Sequence, residues 1–168
     1  LPLKIQLNIK RSSCRIEIIK WNSEYDLRFE LFNRLNTGGS PLTNQEIRNS
    51  LYRSISSRFN EFLKELADYP NFIKSVSISE EKIRQLYLEE LVLRFMSLYQ
   101  NKNKVNKSIA LHMTSFMQEA VTEEKFPYEK YRVIFHKTFD ILHRLGPKLF
   151  CSRNNEFSTA IFDTTTIG

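Results

Sequence analysis

Six residues within one run, FNRLNTGGSPLTNQEIRNSLY at positions 32–52, are of types that together can hold a phosphate. Asn36, Thr37, Gly38 and Gly39 form a short polar bend, and two adjacent glycines let several backbone N–H groups converge on one concavity. The helix that follows adds the positive end of its dipole, which favours an anion. Arg34 before the bend and Arg48 after it can close an electropositive pocket through charge-assisted hydrogen bonds, with Arg34 or Arg48 expected near its rim. The competing reading is a plain helix-turn-helix corner, with Asn36 capping locally.

Other candidates carry less. Lys102, Lys104 and Lys107 crowd the run NKNKVNK, where interleaved asparagines can also meet DNA phosphates. Such contacts would be salt-sensitive and independent of base sequence, and a solvated loop is the alternative. Glu90 and Arg94 stand four apart, the spacing of an intrahelical ion pair. His136 and His143 stand seven apart with no third ligand at a suggestive spacing, and His112 stands alone, so no metal site is expected. GxSxG, HExxH and a glycine loop ending in GK[ST] are all absent from the sequence.

The elements that must position the bend are well punctuated. Tyr25, Phe29 and Phe32, with Leu27, Leu31 and Leu35, mark an amphipathic helix with Ser23 as N-cap, and Gly38-Gly39 stops it. Thr43 and Glu46 form a capping box for the next helix, and Leu42 with Ile47 has the spacing of a hydrophobic staple. Further helices are predicted over 57–67, 80–99 (with Ser79 as cap), 107–121 and 128–145, the last ended by Gly146-Pro147. A final helix is predicted from Asn154 or Asn155 through Phe157, Ile161 and Phe162. Strict alternation of Leu3, Ile5, Leu7 and Ile9 with polar residues favours a strand, and residues 14–20, CRIEIIK, are the better strand. The fold class is therefore mainly α, a helical bundle with a small β element near the N-terminus. Its expected core includes Phe29, Phe32, Leu42, Ile47, Leu51, Phe62, Leu91, Phe95, Phe135, Phe139 and Leu142.

Composition sets the bounds. With 168 residues, 41% of them hydrophobic, and 13 Phe and 7 Tyr, the chain can build one sizeable core. Only 4 Gly and 5 Pro imply mostly regular structure, and no linker, repeat or low-complexity segment divides it. The net charge of +6 permits a polyanionic partner without demanding one. No apolar run approaches the ~20 residues that span a bilayer. No membrane partner is expected, and the absence of a secretory pattern points to the cytoplasm. Cys14 and Cys151 have no metal-like spacing and are expected to be reduced.

The run 32–52 resembles the motif FxRLNxGGxxLxxQEIRN of the ParB/sulfiredoxin-like family at the N-terminus of GmrSD-type modification-dependent restriction endonucleases. The matching residues are Phe32, Arg34, Leu35, Asn36, Gly38, Gly39, Leu42, Gln45, Glu46, Ile47, Arg48 and Asn49. EELVLRF at 89–95 and FSTAIFD at 157–163 resemble later landmarks of the same family, in the same order, so the resemblance spans essentially the whole chain. It implies a short helix opening at Pro2 in place of a strand. It also implies an upstream DGQQR motif that carries nucleotide hydrolysis, and no Asp-Gly pair occurs in this sequence. The chain is accordingly expected to be the C-terminal portion of a larger domain and not to be catalytic alone. The parent protein is expected to be an NTPase or endonuclease, binding a nucleoside triphosphate, with or without Mg, and working with a separate nuclease domain. Three functions follow: part of a nucleotide-binding and -hydrolysing module of an anti-phage restriction protein, a DNA-backbone-binding ParB-like module, or a structural scaffold for the nuclease.

Overall fold

The computed structural model describes residues 2–13, 29, 31, 32, 34, 35, 41–101 and 108–168. Among them the chain is a mainly α helical bundle. Its helices are α1 (Leu3–Arg11), α2 (Asn44–Tyr52), α3 (Ser57–Ala67), α4 (Pro70–Ser75), α5 (Glu80–Arg84), α6 (Tyr87–Asn101), α7 (Ile109–Thr122), α8 (Tyr128–Leu142) and α9 (Thr159–Ile167). The described residues between 29 and 35 are helical as well. The predicted strand over 14–20, the bend at Asn36, Thr37, Gly38 and Gly39, and Lys102, Lys104 and Lys107 lie outside the described residues.

The bundle is organised around α6, which packs against α3, α7 and α9, touches α2, and follows directly on α5. Its apolar residues fall on more than one face: Leu88, Leu91, Val92, Leu93, Phe95, Met96 and Leu98 are all buried. A helix apolar nearly all round must be surrounded, and that requirement makes it the centre. Phenylalanines bind the outer helices to it and to one another. Phe72 meets Phe139 edge-on at 4.8 Å, and Phe95 meets Phe135 at 5.5 Å. Phe150 meets Phe162 at 5.0 Å and fixes the last helix to the same core.

Several sequence expectations are corrected. Residues 3–9 form a helix, as the family resemblance implied, although their alternation favoured a strand. Pro2 presets the entry, its carbonyl accepts from the Ile5 and Gln6 amides, and Lys10 and Arg11 suit the negative end of the dipole. The helix predicted over 80–99 is two helices, because Leu86 adopts φ 59° and breaks the ladder. Nothing in the sequence marks that break, since no glycine or proline stands there, and the Ser79 side chain makes no capping bond. The short α4, opened by Pro70, was not anticipated.

The last helix starts at Thr159, capped by the Ser158 hydroxyl, later than Asn154 or Asn155. Residues before it are held in a tight turn by an isolated antiparallel bridge between Cys151 and Phe157. The helix from Tyr128 closes in a single 3-10 turn (His143–Leu145), and Gly146 takes the stop at φ 87°. Of the expected core, Phe32 is 37% exposed and Leu42 47% exposed, so neither is buried. Phe29 holds the buried side of its helical turn, and Leu42 is about half exposed. Leu51 and Leu142 pack only at the edge of the core.

Candidate functional site

The entry to α2 is built as the sequence dictates. Thr43 stands in an extended conformation and its hydroxyl accepts from the Glu46 amide at 3.3 Å. The Glu46 carboxylate reaches back to the Thr43 amide at 2.7 Å. The capping box is therefore complete, and it sets the direction in which α2 starts.

Inside α2 the buried face is unusually polar. Gln45, Ile47, Arg48 and Tyr52 are all fully buried. Arg48 spends its guanidinium on three neighbours: Nε donates to the Thr114 hydroxyl at 3.1 Å, Nη1 to Gln45 Oε1 at 3.0 Å, and Nη2 to the Ala110 carbonyl at 3.2 Å. Glu90 lies 3.9 Å away as a countercharge, and the Phe29 ring stands 5.5 Å from the guanidinium carbon. Burial lowers the Arg48 pKa to about 10, with the Glu90 carboxylate opposing that shift. The side chain therefore stays charged at neutral pH. The structure does not place Arg48 at an open rim. It is enclosed between α2, α6 and α7, with 0% exposure, while Arg34 is exposed.

The network extends from there. Asn49 donates from Nδ2 to Glu89 at 2.7 Å, and Gln45 donates to Asn49 Oδ1 at 3.0 Å. Arg94 does not pair with Glu90. Its Nε and Nη2 each lie 2.6 Å from an oxygen of Asp163 on α9. Asp163 offers both oxygens to the guanidinium fork, a geometry that a carboxylate one turn away on the same helix does not match. The pairing partners in fact lie on separate helices, and sequence spacing alone missed them. One signal was present: Gln45, Arg48 and Tyr52 stand three and four apart, which is the helical period of a buried face.

The QEIRN segment, EELVLRF and FSTAIFD are thus joined in space. Asn49 meets Glu89, Arg48 faces Glu90, and Arg94 clasps Asp163. The histidines are placed elsewhere. His136 stacks on Tyr69 at 4.0 Å, the His143 ring contacts the Phe139 carbonyl, and the His112 ring contacts the Ser97 carbonyl. Among the described residues no helix is long and apolar enough to cross a membrane. Comparison with protein-family models, curated proteins and solved structures finds no match. The family resemblance therefore rests on the motif residues themselves.

Proposed function

We propose that this chain is the helical part of a nucleotide-binding and -hydrolysing module of a DNA-modification-dependent restriction protein, and that it holds the 36–40 bend in place for a phosphate. In this reading Asn36, Thr37, Gly38 and Gly39 supply the phosphate contacts and Arg34 adds charge from the exposed side. Arg48 works from behind, fixing the helix whose N-terminus follows the bend. The hydrolytic chemistry belongs to a DGQQR-bearing segment outside this sequence, acting on a nucleoside triphosphate, with or without Mg. A separate nuclease domain is the expected partner.

One observation carries the reading. Three segments that resemble one family in sequence order are tied to each other by side-chain contacts across α2, α6 and α9. Segments serving one module would meet in this way. The completed capping box adds to it, because it fixes the start of α2, the element that follows residues 36–40 in the chain.

The test is a calorimetric titration of the complete protein with ATP and GTP, with and without Mg. Wild type is compared with Asn36→Ala and Gly39→Val at matched melting temperature. Loss of one hydrogen bond to a charged group weakens binding by roughly tenfold or more. Wild-type affinity in both variants would reduce the bend to a corner. Affinity for duplex DNA that no nucleotide alters would favour the DNA-backbone function instead.

A further inference from the structure

Helix α8 presents two faces of different chemistry. Tyr131, Phe135 and Phe139 are buried and tie it to the core. On the other side, Lys130, Val133, Lys137, Ile141 and Arg144 are all exposed. They follow one another in steps of three and four, so they line up along one side of α8 and the 3-10 turn that closes it. Leu145 and Lys148, just past α8, are exposed as well.

The packing of the bundle uses none of these side chains. Val133 is 41% exposed, Ile141 63% and Leu145 64%, three aliphatic residues within one short stretch. Four cations stand among them, and among the described residues no carboxylate lies within ion-pair distance of any of the four. The two acidic residues of α8 are engaged elsewhere. Glu129 pairs with Arg132, and Asp140 accepts from Tyr69 and from Asn71. The face is therefore cationic and aliphatic along its whole length, with no acid to offset it.

Its chemistry selects the partner. The charge calls for an acidic surface, and the aliphatic residues call for one that also buries apolar area. A nucleic-acid backbone meets the first demand only, because phosphates gain nothing from Val133, Ile141 or Leu145. A bilayer meets the second poorly, because Lys137 stands between Val133 and Ile141 in the middle of the face, where the charge would be driven inward. A helix meets both. Its own apolar side chains can pack on Val133, Ile141 and the Lys137 stem, and its carboxylates can reach the cations beside them. We propose that the outer face of α8 docks an acidic amphipathic helix of a partner protein. The proposal is independent of the phosphate reading, since it involves no residue from 34 to 48.

Fluorescence anisotropy on the whole chain tests it with a labelled synthetic helix of about 20 residues, a length that holds helical structure in water. The peptide carries leucine at every third or fourth position and glutamate on both flanks. A twin with lysine in place of glutamate, a duplex DNA and phosphatidylserine vesicles are measured beside it. Saturable binding of the glutamate peptide is expected, weakening as salt is raised, with none for its lysine twin. Ile141→Ser combined with Leu145→Ser should weaken binding about tenfold or more at an unchanged melting temperature, since both side chains start exposed. Lys137→Glu combined with Arg144→Glu should lose the glutamate peptide and gain the lysine twin, a swap that a fold defect would not produce. No saturable binding of the glutamate peptide, or wild-type affinity in either folded double variant, would overturn the proposal. Tighter binding of the DNA or the vesicles, lost on charge reversal, would overturn it in favour of that surface.

Discussion

Arg48 illustrates how a charged residue becomes structural. Its side chain is enclosed by Gln45, Thr114, the Ala110 carbonyl and the Phe29 ring, with Glu90 as countercharge. Removing one member of such a set leaves buried polar groups unpaired, which costs about 3–5 kcal/mol. Arg48→Ala should lower the urea midpoint accordingly, and Arg48→Met, which keeps the volume, should cost markedly less. Equal midpoints for wild type and Arg48→Ala would show that the network contributes nothing. Glu89 gives a pH prediction of definite sign. Its folded pKa is raised above the usual value, so its contribution to stability is greatest below the unfolded pKa and is lost as pH rises through the folded one. Glu89→Gln should flatten the stability profile over that interval, read by chemical denaturation at a series of pH values. Residue identity was legible here and residue role was not. Arg48 read as a cation at the rim of a phosphate pocket, because the groups that enclose it, the Thr114 hydroxyl and the Ala110 carbonyl, stand 66 and 62 positions downstream.

At the scale of elements, local punctuation was the reliable signal. The helix over 57–67 has the bounds its apolar stripe predicted, and the Thr43–Glu46 box forms with both of its hydrogen bonds. Thr43→Ala should therefore cost about 0.5–2 kcal/mol, measured as a shift in the denaturation midpoint. The centre of the bundle predicts a larger effect. Phe95 is buried against Phe135, Phe139 and Tyr99, and Phe95→Ala should cost about 3–5 kcal/mol. An unchanged midpoint would contradict the central place given to α6. Tertiary context overrode the sequence where punctuation was weak. The break at Leu86 carries no glycine, and α5 and α6 both contribute apolar side chains that read as one stripe. At the N-terminus, alternation of period two was outweighed by Pro2 and the basic last turn, which favour a helix.

For the whole molecule, the mainly α class followed from helical periodicity over most of the chain, and the described residues agree with it. The relation between the segments did not follow from pattern, because hydrogen bonds such as Asn49 to Glu89 and Arg94 to Asp163 join residues 40 and 69 positions apart. The central claim of the proposed function is that residues 36–40 contact the phosphate while the buried Arg48 positions α2 without touching it. Nucleotide affinity of the complete protein carrying Arg48→Met is the most direct test of it. A buried positioning residue replaced by an apolar side chain of similar volume should leave affinity within about threefold of wild type, provided the fold is kept. Asn36→Ala, measured beside it, should lose roughly tenfold or more. A tenfold or greater loss in a fully folded Arg48→Met, with Asn36→Ala unaffected, would place the phosphate on the arginine and contradict the account.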